Sequence, residues 1–208
     1  MYEIADIVPN AELSPGSNLL VTGPPLTGKR ELAVHILAQG IEGGEGAIAV
    51  TSKNSSDSLL DAVEERVNHP EPPIRIVDCV TKQRGMGAVR EDHRVEYVDS
   101  PVDMTGIGIA ISNFLEELYV DQGLEHNRIL THSLSPLLLY SNLETVFRFL
   151  HVFTGRVESA DALGIYVIDS SSHDERTMGT LKQLFDAAIE VQESDDGTSQ
   201  LRLKGALS

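Results

Sequence analysis

Asn18-Leu-Leu-Val-Thr-Gly23-Pro-Pro-Leu-Thr-Gly28-Lys29-Arg30 decides the fold. Residues 18–22 are a compact apolar run of strand length, and helical periodicity resumes over 31–39. Between them stands Gly-x-x-x-x-Gly-Lys. A strand running into a glycine loop that opens a helix is the context a phosphate loop requires. The glycines let backbone N–H groups converge on phosphate oxygens. The helix N-terminus adds partial positive charge, and Lys29 reaches the terminal phosphates. Gly23, Thr27, Gly28, Lys29 and Arg30 are therefore the expected nucleotide or phosphate contacts, Thr27 through its backbone N–H. Position 30 departs from the pattern. A Ser or Thr hydroxyl there would ligate magnesium, whereas Arg30 carries five donors and no acceptor. Pro24 and Pro25 lack N–H groups and thin the phosphate nest.

Outward from this loop, short apolar runs alternate with helical patterns, the signature of an α/β fold with a parallel sheet. Strands are expected at 46–51, 74–80, 95–99, 128–132 and 164–169. Helices are expected at 56–67, from a Thr105 cap through Ile107, Ile111, Phe114 and Leu118, at 143–153 and at 177–188. Residues 81–94 are polar and read as a loop. Ile189 and Val191, a turn at Asp196-Gly197, then Leu201 and Leu203 predict an antiparallel hairpin closing the sheet edge. With no repeat or linker, residues 1–208 are expected to form a single domain.

Charge narrows the function. Sixteen Lys and Arg against 32 Asp and Glu leave a net charge of −16. Nucleic-acid and anionic-membrane binders need basic surface, so neither partner is expected. Carboxylates spread along the chain, with few Lys, suit a high-salt cytoplasm, where screening confines self-repulsion to about 3 Å at molar salt. The lone Cys79 forbids an internal disulfide and points to a reducing compartment. No signal peptide opens the chain and no run approaches 18 apolar residues, so a cytoplasmic protein is expected. The seven histidines lack metal-ligand spacing, so no metal site is expected.

The stretch ELSPGSNLLVTGPPLTGK (12–29) resembles the opening of the RecA-like P-loop fold as used in KaiC-like ATPases. DALGIYVIDSSSHDERTMGTLKQLFDAAIEV (161–191) resembles the distal half of their archaeal members. The resemblance implies a three-layer sandwich with ATP bound between subunits of a ring or filament. It also exposes three departures. The stretch matching the family's Walker B strand, Arg128-Ile-Leu-Thr-His132-Ser-Leu-Ser135, puts His132 where an Asp would hold magnesium. The family's catalytic Glu after the second strand is replaced by Thr51-Ser-Lys53-Asn54, with no carboxylate before Asp57. Arg30 is the third. Phosphoryl transfer is catalysed by positioning and electrostatics, much of the latter from magnesium. A degenerate member is therefore expected: a regulatory ATP- or phosphate-binding pseudo-ATPase, acting through self-assembly or a protein partner, with magnesium in doubt. Two alternatives stand beside it, a slow ATPase completed by a neighbouring subunit and a scaffold that binds no nucleotide.

The remaining candidates carry paired readings. Asp169, at a strand end, is a substitute metal carboxylate or the cap of the following turn. Asp99 has the same ambiguity. His132 titrates beside the phosphates, binds a metal, or is a satisfied strand-end histidine. Cys79 reads as core. Lys82, Arg84, Arg90 and Arg94 against Glu91 and Asp92 make 82–94 a basic stretch. It is an arginine finger, a contact for an acidic partner or a solvated loop. Thr105-Gly-Ile-Gly108 at a helix start is a weak anion site.

Overall fold

The structure, a computed structural model, describes residues 1–4, 7, 12–84, 92–193 and 199–205. β1 (Tyr2–Glu3) and β2 (Glu12–Leu13) pair as a short antiparallel ribbon. β3 (Asn18–Gly23), β4 (Gly46–Thr51), β5 (Ile74–Asp78) and β7 (Asn127–His132) are buried at every residue, and β8 (Leu163–Asp169) at all but its last. Unbroken apolar runs demand cover on both faces, which a parallel sheet between helices supplies. With β6 (Val95–Tyr97), β9 (Ala187–Glu193) and β10 (Ser199–Gly205), the sheet order is β10-β9-β3-β8-β7-β4-β5-β6. Every neighbouring pair is parallel except β9 with β10.

Successive strand residues point to opposite faces. Leu19 and Val21 meet α1 (Lys29–Glu42) and α2 (Ser56–Glu64) through Ile36, Leu37, Leu60 and Val63. Leu20 and Ile48 face the other layer, α4 (Met104–Glu116), α5 (Ser135–Tyr140), α6 (Leu143–Ser159) and α7 (Glu175–Lys182). There Ile107, Phe114, Leu137, Leu150, Phe153 and Leu181 fill the interior, and Cys79 is core on this side. The result is a mixed α/β sandwich with a C-terminal antiparallel hairpin.

Several boundaries differ from the sequence expectation. The 81–94 stretch begins with a short helix, α3 (Thr81–Arg84), and residues 85–91 lie outside the described ones. α4 is capped by Asp103, whose carboxylate accepts from the Gly106 N–H at 2.9 Å; Thr105 is inside the helix. The same bond places a carboxylate against the glycine pair read as an anion site. The helix expected to reach Ala188 ends at Lys182, and the chain re-enters the sheet at Ala187. Asp186 forces that exit: its N–H donates to the Asn18 carbonyl and its carboxylate accepts from the Asn18 N–H at 2.8 Å. β9 therefore lies directly beside the loop-bearing strand β3. The turn at Asp196-Gly197 falls outside the described residues. Among the described residues no helix is long and apolar enough to cross a membrane.

At the end of the sheet away from the loop, Arg128 on β7 is 2 % exposed. Its Nε and Nη2 donate to Glu45 at 2.6 and 2.9 Å, Nη1 to the Ile36 carbonyl at 2.7 Å and Nη2 to the Glu3 carbonyl at 3.2 Å. Three chain segments thus converge on one guanidinium. Gly40 leaves the space, since a Cβ there would lie 2.4 Å from Arg128 Nε. Removing one partner of a buried pair strands the other charge. Glu45→Ala is expected to cost about 3 kcal/mol of unfolding free energy in a urea titration, persisting in molar salt because the pair is shielded from screening.

Candidate functional site

The loop leaves β3 at Gly23, where a Cβ would lie 2.4 Å from the Val191 carbonyl oxygen on β9, so no side chain fits. Pro24 and Pro25 follow, and Leu26 projects fully into solvent in the left-handed region with φ of 65°. Gly28, with φ of 81°, caps α1 in the same region, which glycine enters without steric cost. The 14-residue α1 starts directly after Gly28 with no side chain capping its first turn, so its free N–H groups and positive end lie at the loop.

Lys29 is 5 % exposed, and its ammonium folds back over the loop. It donates to the Pro24 carbonyl and lies 3.0 Å from Asp169 Oδ1. Thr27 Oγ1 donates to the same Pro24 carbonyl at 2.9 Å. The β3–β8 register puts Gly23 opposite Asp169, so the carboxylate at the end of β8 arrives beside the loop. Asp169 flanks the start of the following turn, but its side chain makes no capping bond there. Lys53 approaches its other oxygen at 4.0 Å. Behind it, the Asp169 N–H donates to Ser135 Oγ at 3.1 Å, and Ser135 Oγ lies 3.0 Å from His173 Nε2.

Arg30 turns toward α2, its Nη2 donating to the Ser58 carbonyl at 2.8 Å and to Ser58 Oγ at 3.0 Å. It still borders a cleft of about 490 Å³ with Lys29, Lys53, Asn54, His132 and Asp169. His132 ends β7, opposite Thr51 and Val167 in the sheet register, and the His132–Ser133 peptide is cis. Burial pushes the imidazole down to about 4, the Arg30 and Lys53 cations push the same way, and Asp169 opposes them. At neutral pH the ring is uncharged. The cleft thus holds Lys29, Arg30 and Lys53 against Asp169 and Glu31, a cationic excess inside a chain of net charge −16.

A phosphate group fits this arrangement: uncapped helix amides, a buried ammonium and two further cations surround one cleft. A magnesium ion does not. Arg30 presents donors, His132 is a nitrogen base beside two cations, and Asp169 already pairs with Lys29. Asp78, which ends β5, is committed elsewhere. Burial pushes it up, yet bonds accepted from the Thr81, Ser56 and Val80 N–H groups at 2.8–2.9 Å hold it below the usual range. Among the described residues no group of three or more His, Cys, Asp or Glu is placed to hold a metal.

The structure brings Thr27, Gly28, Lys29, Arg30, His132 and Asp169 to the border of one cleft. Lys53 was seen there only as the absence of a glutamate; its scarcity, as one of five lysines in the chain, was the available signal. Ser135 and His173 carried none. In the basic stretch, Lys82 lies 3.4 Å from Asp99, and Arg94 pairs at 2.9 Å with both Asp92 and Glu64. Both cations thus lie beside carboxylates on the surface. Arg90, Glu91 and the Arg84 side chain lie outside the described residues.

The family model for DUF7504, a family of unknown function, matches residues 16–191, and the chain belongs to that family. No curated protein matches it. Among solved structures, the uncharacterized protein PH0321 from Pyrococcus horikoshii, in complex with an unknown peptide, is similar with a TM-score of 0.70. The identity is 13 %, over 97 % of each chain. The KaiC-like protein PH0186 from Pyrococcus horikoshii OT3 gives a TM-score of 0.61 and 14 % identity over 98 % of this chain and 82 % of its own.

Because His132 binds a proton at about pH 4 when folded and near 6.5 when unfolded, acid favours unfolding. Stability is expected to fall by about 3 kcal/mol as pH drops from 6.5 to 4, with no further loss through this group below. Urea titrations across that range check it, and His132→Asn should reduce the slope, leaving the part from His173, which burial also lowers, and from the paired carboxylates.

Proposed function

We propose that this chain binds the polyphosphate of a nucleotide such as ATP at Gly23–Arg30, without a divalent cation, and signals occupancy to a protein partner or a second copy. One observation carries the reading: the phosphate-loop conformation, with Gly28 left-handed and Lys29 buried at the start of α1, is present where the positions for a metal are filled by Arg30 and His132. Lys29, Lys53 and the loop amides would take the phosphate oxygens. Arg30 would join them by giving up Ser58. Occupancy would have a local consequence. A phosphate entering the loop competes with Asp169 for the Lys29 ammonium, and Asp169 is tied through its N–H to Ser135 at the start of α5. Loss of the ion pair would therefore be felt at that helix.

Hydrolysis is not part of this reading. Transition-state charge on a transferring phosphoryl group is met by metal and cations together, with a base to orient water. The position after β4 offers Lys53 and Asn54 for that base. A partner-binding role is supported separately by PH0321, a chain of the same architecture whose structure holds a peptide.

Calorimetry in molar KCl tests the proposal. ATP should bind with the same affinity in magnesium and in EDTA. Lys29→Ala should weaken binding at least about tenfold, the scale of a hydrogen bond to a charged group, and Asp169→Asn should tighten it by releasing Lys29. Binding that requires magnesium, or magnesium-dependent turnover abolished by Lys29→Ala, would overturn it.

A further inference from the structure

On the face opposite α1, α4 and α6 flank an open groove of about 440 Å³. Along α6 the lining positions are 145, 148, 149, 152, 153 and 156, an i, i+3, i+4, i+7, i+8, i+11 stripe about 16 Å long. Phe149 and Phe153 stack at 5.8 Å between centroids and form the floor, with Met104 beside them. Ile109 on α4 and Val152 on α6 stand 55 % exposed on the rims. They extend the apolar floor to both edges of the groove.

The charge of the groove says what covers it. Acids outnumber bases two to one in this chain, yet the lining holds two arginines, Arg148 and Arg156, and no carboxylate. Arg156 is part of the frame: its Nη1 donates to the Gly108 carbonyl at 3.1 Å and to Ser112 Oγ at 3.3 Å, tying α6 to α4. Gly108 permits that approach, since a Cβ there would lie 3.2 Å from Nη1. Arg148 is exposed, one turn from the open end marked by Met104 and Thr145. The two arginines are eight residues apart, about 12 Å along the helix axis.

We infer that the α4–α6 groove receives an acidic amphipathic helix of a protein partner. Its apolar stripe lies on Phe149, Phe153 and Val152, and two carboxylates about two turns apart meet Arg148 and Arg156. The assignment rests on the partner-binding part of the proposed function and gives it a place and a chemistry. It lies on the sheet face away from α1, so its test is separable from nucleotide binding.

The probe is a displayed library of 16-residue helical peptides, selected on the full-length chain and followed by fluorescence anisotropy with the enriched peptide. Enrichment of sequences pairing an i, i+3, i+4, i+7 apolar stripe with Asp or Glu is expected. Arg148→Glu should weaken the selected peptide about tenfold and Val152→Asp should abolish its binding, both with unchanged circular dichroism and unchanged ATP titration. Three results would overturn the inference: no enrichment or enrichment of basic peptides, binding that survives both substitutions, or a wild-type dimer in sedimentation that Val152→Asp dissociates, which would make a second copy the occupant. Loss of ATP binding in the wild-type chain with peptide binding intact would overturn the nucleotide reading and leave the groove supported.

Discussion

Parallel pairing of β3 with β8, in register from Asn18–Gly164 to Gly23–Asp169, is the constraint on which the site depends. Neither strand can slip by one residue against the other without turning its own side chains to the opposite faces, and here both faces are buried. The register therefore delivers Asp169 to the mouth of the loop. From that follow the ion pair with Lys29, the cover it gives the Pro24 carbonyl, and the link through Ser135 toward α5. On the other side of β3, the Val191 carbonyl presses on Gly23 and excludes any side chain there. The loop is held in shape by strands on both sides.

Electrostatics in so acidic a chain is a matter of where the few cations are kept. Arg128 is spent on joining β7 to Glu45, α1 and β1. Arg75 on β5 is spent likewise on Glu117, at 2.6 Å, just beyond α4. Lys29, Arg30 and Lys53 gather at the ends of the central strands, and Arg148 and Arg156 line the α4–α6 groove. The first group stabilises the fold from within, where salt does not screen it. The others are arranged around space that an anionic group or segment can enter. High salt shortens the range of their attraction without removing it at contact distance.

β3, β4 and β8 were legible because each holds a continuous apolar run bounded by polar or glycine residues, a pattern with few alternatives. The boundary after α7 was not. Leu181, Leu184, Phe185 and Ala188 keep helical spacing across the point where the chain leaves the helix, so periodicity points the wrong way. The break is imposed by Asp186 bonding to Asn18, 168 residues earlier. The α4 cap was misplaced for a similar reason. Thr105 and Asp103 are both good caps, and the choice fell to whichever side chain reached the Gly106 N–H.

Sequence alone determined the α/β class and a Gly-x-x-x-x-Gly-Lys stretch running from a strand into a helix, because each rests on residue identity or local spacing: an apolar run before Gly23, Gly28 before Lys29, helical periodicity after Arg30. Tertiary structure alone decided what those residues do to one another. It joined Lys29 to Asp169, turned Arg30 onto Ser58, kept His132 neutral between two cations and left Arg148 exposed in a groove without carboxylates. These are contacts between segments far apart in the chain, set by strand order and register, and local pattern carries no record of which distant segment will pack alongside.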